Sequence, residues 1–157
     1  MNAFIGTIHA KTDVKGRVFL PASFRKVLQS IGDSSLILRK NIYQNCLDLY
    51  PESAWVQELD KFQTELYDWG DEKRQETLLS LSLVDVLELD SNGRILIPKK
   101  LLQSVNISNS VCFVGMNKFI KIWSADQLNK VIMDSEDLKS HVRKFLSNSR
   151  RAEEKSE

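Results

Sequence analysis

The sequence predicts an α+β chain built from two copies of one β-rich supersecondary unit, with helix after each copy. Three observations carry that expectation. Asp13-Val14-Lys15-Gly16-Arg17-Val18-Phe19-Leu20-Pro21 aligns without gaps to Asp90-Ser91-Asn92-Gly93-Arg94-Ile95-Leu96-Ile97-Pro98, an offset of 77 residues. The likeness continues in order across small gaps: Val27–Ile31 resembles Leu101–Val105, Ser35–Leu38 resembles Ser110–Phe113, and Leu47–Tyr50 resembles Ile120–Trp123. One such match is within reach of chance, but an ordered series marks a repeat. Within each copy, β-branched and aromatic runs alternate with the proline and glycine signals that bound helices.

Each element follows from local chemistry. Phe4 to Thr12, and Leu83 to Leu89, read as strands entering a turn. Asp-x-x-Gly supplies that turn, because Asp bonds the backbone two residues on and Gly accepts positive φ. Arg17–Leu20 and Arg94–Ile97 are the exit strands. Pro21 and Pro98 then stand at a helix start, where a missing N–H costs nothing. A helix from Ala22 to Ser30 is stopped by Gly32, and the second copy's helix, Lys99 to Val105, is shorter. A hairpin closes each copy, Leu36–Leu38 with Cys46–Tyr50 and Val111–Val114 with Phe119–Trp123.

Between the copies, Pro51-Glu52 opens a helix with Trp55, Leu59, Phe62 and Leu66 on one stripe. Asp68-Trp69-Gly70-Asp71 interrupts it, and a second helix runs from Glu72 to Leu81. After the second copy, Ser124-Ala125-Asp126-Gln127 fits a capping box, followed by an imperfect apolar face of Leu128, Ile132, Leu138, Val142, Phe145 and Leu146. The expected division is therefore 4–51 for the first unit, 52–80 for a helical connector, 81–124 for the second unit and 125–146 for a C-terminal helix. Residues 147–157 are polar without periodicity and read as disordered.

Composition excludes several classes. With 42% hydrophobic and 27% charged residues among 157, the chain is neither collagen-like nor wholly disordered. It lacks the run of about 18 apolar residues that a spanning helix needs, and its first residues do not resemble a secretion signal. Two cysteines, Cys46 and Cys112, allow neither a disulfide scaffold nor a four-cysteine zinc site. The expectation is a soluble protein of a reducing cytoplasm. The net charge of +1 conceals segregation: residues 1–50 carry +4, residues 51–90 carry −8, and residues 91–125 hold five bases and no acid. A near-neutral chain patterned in this way can present a locally positive face to phosphate.

Catalytic chemistry is not in view. His9 and His141 lack companion ligands, and no nucleophile elbow, zinc-binding or phosphate-loop pattern occurs. Cys46 and Cys112 lie in apolar strand segments and read as small buried hydrophobes. Trp55 and Trp123 read as packing residues, and Trp69 lies among acids that would repel DNA. The sequence thus points to no catalytic residue, no metal site and no cofactor.

The repeated turn carries the functional signal. Its plain reading is a tight turn whose Asp pairs with the Arg four residues on. Both copies, however, sit at the centres of the basic blocks, and both keep Arg directly after the turn. Arg offers a planar fork to phosphate oxygens or to the O6/N7 edge of guanine, and an adjacent Asp can hold that fork in place. Exposed ion pairs contribute little stability, so stability alone is a weak reason for the pair to occur twice.

On these residues the chain resembles the MraZ family of bacterial transcriptional regulators, in the SpoVT-AbrB, or swapped-hairpin, superfamily. The hallmark is a pair of Asp-x-x-x-Arg motifs, matched by Asp13 with Arg17 and Asp90 with Arg94. Leu49-Tyr50-Pro51 followed by Trp55, and Gly115-Met116-Asn117-Lys118-Phe119 leading to Trp123, extend the likeness over residues 1–145. The resemblance implies a double-split β-barrel in which the two units intertwine, with helices packed around it. It also implies ring-like homo-oligomers that are nucleoid-associated and bind double-stranded DNA at repeated boxes upstream of their own division and cell-wall gene cluster, usually as repressors. Arg17 and Arg94 carry over as the principal DNA contacts, and Asp13 and Asp90 as their orienting partners. Lys15, inside the first turn, is placed to meet phosphate; the second turn departs from this, with Ser91-Asn92 holding no base. The competing expectation is an antitoxin-like scaffold that binds a protein partner through the same fold. Neither reading involves a membrane.

Overall fold

The computed structural model describes residues 2–134 and 136–156. The chain divides into two compact units, Met1–Ala125 and Asp126–Glu157. In the first, the strands are β1 (Thr7–Lys11), β2 (Arg17–Phe19), β3 (Ser35–Lys40), β4 (Leu47–Pro51), β5 (Asp85–Glu88), β6 (Arg94–Leu96), β7 (Ser110–Gly115) and β8 (Ile120–Ser124). Four helices intervene: α1 (Ala22–Ile31), α2 (Glu52–Glu65), α3 (Asp71–Ser82) and α4 (Lys99–Ser104). The remaining helices are α5 (Ala125–Met133) and α6 (Glu136–Ser156).

Six strands form one antiparallel sheet in the order β1-β7-β8-β4-β3-β5, and β2 pairs with β6 in a separate two-stranded ribbon. The copies exchange strands. The first copy's β1 runs beside the second copy's β7, with His9 opposite Cys112. The second copy's β5 runs beside the first copy's β3, with Leu36 opposite Leu87. The two hairpins meet through β4 and β8, Asp48 facing Lys121. This is the intertwined α+β arrangement that the family resemblance implied.

One apolar core serves both copies. Val18 and Ile95, the central residues of the ribbon, are buried with Leu36, Leu38, Leu47 and Leu49 from the first hairpin and Val111, Phe113, Ile120 and Ile122 from the second. Each such side chain contributes about 1.5–3 kcal/mol by leaving water, so neither copy can bury its apolar face without the other. Helix α1 adds Phe24, Val27 and Leu28, with the Phe24 ring meeting Phe4 edge-on at 5.6 Å. Gly32 ends α1 at φ +85°, and its N–H bonds the Leu28 and Gln29 carbonyls at 3.0 and 3.1 Å. A second cluster anchors α2: Trp55 packs on Tyr50, which stacks on Phe119 at 4.5 Å. Arg39 lies over the Trp55 ring at 4.8 Å and pairs with the buried Asp48 at 3.4 Å.

The structure differs from the sequence reading at several ends. The first strand begins at Thr7 rather than Phe4, because Gly6 turns the backbone at φ +107°. Phe4 is then tied separately to Asn117, in a crossing so close that a Cβ on Gly115 would stand 2.5 Å from the Phe4 carbonyl. Strand β5 spans Asp85–Glu88 within the expected 83–89. Helix α6 continues to Ser156 through residues expected to be disordered. Arg150, Arg151, Ala152, Glu153, Glu154 and Lys155 lack apolar periodicity, yet they are strong helix formers, and propensity needs no periodicity. Glu157, the last residue of that expected tail, lies outside the described residues.

Candidate nucleic-acid interface

The two Asp-x-x-Gly-Arg turns are built alike, bond for bond. In the first, Asp13 N–H donates to the Arg17 carbonyl at 2.9 Å and Gly16 N–H to the Asp13 carbonyl at 3.1 Å. In the second, Asp90 N–H donates to Arg94 O at 2.9 Å and Gly93 N–H to Asp90 O at 3.0 Å. Oδ1 of Asp13 accepts the N–H groups of Lys15 and Arg17, both at 2.9 Å. Oδ1 of Asp90 accepts those of Asn92 and Arg94, again at 2.9 Å. The second carboxylate oxygen takes the side chain: Arg17 Nε donates to Asp13 Oδ2 at 2.6 Å, and Arg94 Nε to Asp90 Oδ2 at 2.8 Å. Gly16 and Gly93 close the turns at φ +91° and +83°.

These bonds dictate the acid–base state. The Arg17 N–H, with the Arg17 guanidinium and the Lys15 N–H, outweighs modest desolvation and holds Asp13 below the ordinary carboxylate value. The Arg94 N–H, guanidinium and Asn92 N–H do the same for Asp90. Both acids are therefore ionised near neutrality. Each engages its arginine through Nε alone, and among the described residues no protein hydrogen bond occupies the Nη atoms of Arg17 or Arg94. The outer edge of each guanidinium is free for a planar acceptor.

The ribbon brings the two arginines together. In the β2–β6 register, Arg17 faces Leu96 and Phe19 faces Arg94. Side chains two apart on a strand share a face, so Arg17, Phe19, Arg94 and Leu96 form one outward surface while Val18 and Ile95 point into the core. Arg17 and Arg94 are diagonal neighbours across the ribbon, a relation that separates backbone positions by roughly 7–8 Å. The Arg94 guanidinium lies 5.8 Å from the Phe19 ring centroid. Each turn is also tied to the opposite copy, Ile97 N–H donating to Gly16 O at 2.9 Å and Leu20 N–H to Gly93 O at 3.0 Å.

The structure thus gathers Arg17, Arg94, Asp13 and Asp90 around one ribbon, with Lys15 exposed at the tip of the first turn. Lys99 lines the cleft beside Asp13, Val14 and Gly16. Sequence reasoning passed over Arg25, which lies against Gly93. No local signal marks it, because the contact joins a helix of one copy to the turn of the other. Cys46 and Cys112 are buried, as their apolar segments suggested, and burial pushes the Cys46 thiol up to about 11. Among the described residues no group of three or more His, Cys, Asp or Glu side chains converges to hold a metal ion. No helix among them is long and apolar enough to cross a membrane.

Comparison with known proteins identifies the family. The MraZ protein family, whose description adds the term antitoxin-like, matches residues 3–77 and 85–147. A protein of Bacteroides fragilis named transcriptional regulator MraZ is 40% identical over 151 residues, covering 96% of each chain. The protein of that name from Bacteroides thetaiotaomicron is 39% identical over 151 residues, 96% of this chain and 97% of its own. One from Flavobacterium psychrophilum is 31% identical over 138 residues, 86% of this chain and 85% of its own. Both Asp-x-x-x-Arg turns fall inside the matched segments, and the chain belongs to the MraZ family of non-enzymatic transcriptional regulators.

Proposed function

We propose that this chain is a cytoplasmic, nucleoid-associated repressor that binds repeated promoter boxes upstream of its own division and cell-wall gene cluster, acting as a ring-like homo-oligomer. The observation that carries the reading is the pair of matching Asp-x-x-Gly-Arg turns on one ribbon, each with a guanidinium fixed through Nε and open at its outer edge. Arg17 and Arg94 contact the DNA, Asp13 and Asp90 orient them, and Lys15 meets phosphate. One ribbon makes few contacts and so binds weakly and salt-sensitively. Several ribbons on one oligomer convert later contacts into intramolecular ones, raising avidity by about 10²–10⁴.

The test is fluorescence anisotropy with a labelled duplex from upstream of the chain's own gene, against a scrambled duplex, at two salt concentrations. Wild type is expected to prefer the genuine sequence, and Arg17→Ala/Arg94→Ala to lose that preference while remaining folded. A folded wild type with no preference would overturn the DNA reading and favour the antitoxin-like scaffold. Retention of selectivity in the double variant would remove the two turns from the site.

A further inference from the structure

The two turns match in backbone and differ in charge. Lys15 stands inside the first turn, and the residue 77 positions later, Asn92, is neutral. Behind each turn lies a side chain from the other copy's helix. A Cβ on Gly16 would meet the Ile97 carbonyl oxygen at 2.5 Å and Leu102 Cδ1 at 3.5 Å, so Leu102 of α4 backs the first turn. A Cβ on Gly93 would meet Arg25 Cδ at 2.9 Å, Nε at 3.1 Å and Cζ at 3.4 Å, so Arg25 of α1 backs the second. Arg25 and Leu102 are themselves related by the offset of 77. The first turn therefore has a base inside and an apolar residue behind, and the second has a neutral residue inside and a base behind.

Arg25 is seated as a built feature. Its Nη1 donates to the carbonyl of Leu20, the residue whose own N–H bonds Gly93 O at 3.0 Å. The guanidinium is thus pinned to the strand end that bonds the second turn, and it occupies space that only a residue without a side chain leaves open. Among the described residues it has no ion-pair partner. Arginine carries five N–H donors in a fixed fork, and a single bond to a carbonyl leaves the rest uncommitted. Arginine is a permanent cation, and this one lies against Gly93, the residue that precedes Arg94.

We propose that Arg25 is a further DNA-contacting residue, a phosphate ligand belonging to the second turn, which replaces the cation that Lys15 provides in the first. The proposal rests on the DNA-binding reading above. Arg25 and Arg94 then form the basic pair of one turn as Lys15 and Arg17 form that of the other.

The experiment uses the full chain and the anisotropy assay between 50 and 200 mM salt, with folding of every variant checked by circular dichroism. Arg25→Leu installs the kind of side chain that backs the first turn, and Arg25→Gln retains an amide donor for Leu20 O without the charge. Each phosphate contact adds about 0.9 to the salt slope. Over this fourfold salt range wild type should therefore lose about 3.5-fold more affinity than either variant for every Arg25 contact engaged. Arg25→Lys should keep most of the slope. Adding Asn92→Lys to Arg25→Leu should restore it, because the second turn would then copy the first. Folded Arg25→Leu and Arg25→Gln proteins with wild-type affinity and slope would overturn the proposal. So would a loss that neither Arg25→Lys nor Asn92→Lys repairs, since that marks a purely structural role. A wild type without duplex selectivity would bring down the DNA reading itself, and is distinguished by the scrambled control.

Discussion

Gly16 and Gly93 hold the same place in two matching turns, yet alanine should cost very different amounts at the two positions. At both, positive φ strains an L-residue by roughly 1–2 kcal/mol. At Gly16 the new methyl would stand 2.5 Å from the backbone oxygen of Ile97. That oxygen cannot rotate away, and the same residue donates its N–H to Gly16 O at 2.9 Å. Relief requires parting the first turn from β6, with an overpacking cost of roughly 1–3 kcal/mol and a hydrogen bond worth about 1 kcal/mol weakened. Gly16→Ala should therefore lose roughly 3–5 kcal/mol. At Gly93 the first atom met is Arg25 Cδ at 2.9 Å, part of a side chain that can yield by a few tenths of an ångström where a backbone oxygen cannot, at the cost of weakening its bond to Leu20 O. Gly93→Ala should lose about 2 kcal/mol, most of it backbone strain. Urea unfolding at one fixed protein concentration measures both. With a slope of roughly 2 kcal/mol/M the midpoints should differ by about 1 M, Gly16→Ala being the lower. Equal losses, or a larger loss at Gly93, would refute the reasoning that the first turn rests on backbone and the second on a side chain.

The remaining predictions concern ionisation. Asp13 and Asp90 have folded values below the ordinary 3.8, so their contribution to stability is present above that value and lost as pH falls through the folded ones. Asp13→Asn/Asp90→Asn should flatten the acid limb of a melting-temperature profile, and an unchanged limb would contradict the carboxylate–N–H bonds. Asp48 has the opposite sign: burial raises its value above 3.8, ahead of the lowering effects of Asn41, Arg39 and Lys121. Its contribution is complete below 3.8 and lost as pH rises through the folded value. Wild type should accordingly lose stability relative to Asp48→Asn between pH 4 and 7, and parallel curves would show that burial does not govern this acid. Cys46, pushed up to about 11, and Cys112, raised by burial, should both resist an aromatic disulfide reagent at pH 8 until denaturant is added. Rapid labelling of native protein would contradict their place in the sheet.

What the sequence disclosed was mostly local. Asp13 and Gly16 prescribe their own turn, and Gly32 its own helix end, because the groups involved lie within a few residues of one another. The ribbon could be anticipated only through the repeat. Its register, Arg17 facing Leu96, depends on two segments about 77 positions apart and on a core that neither copy completes alone. The exchange of β1 and β5 between copies followed from the family resemblance and not from periodicity, since alternation says which face a strand buries and nothing of which neighbour it chooses. Gly6 was passed over because Phe4 to Thr12 reads as continuous strand. Its bend follows from the approach of Gly115 to Phe4, a contact across more than a hundred residues. Arg25 was missed for a similar reason: it is an ordinary basic residue on an amphipathic helix until Gly93 is placed against it.

The division of charge between the turns follows from covalent fusion. In a dimer of identical one-unit chains, whatever backs one turn must back the other, and a lysine inside one turn must appear in both. Joining the copies lifts that constraint while the backbone requirement stays. Asp and Gly are retained twice because they set the hydrogen bonds of the turn, whereas the cation is free to move between the turn tip and the helix behind it. The two solutions are physically different. Lys15 is an exposed point charge on a mobile stem, and its ordering on DNA costs side-chain entropy. Arg25 is held by Leu20 O and by the open face of Gly93 before any ligand arrives, so less freedom remains to be lost on binding. On the proposed reading, the second turn is the more rigid of the two phosphate sites and the first the more adaptable, and one ribbon offers both.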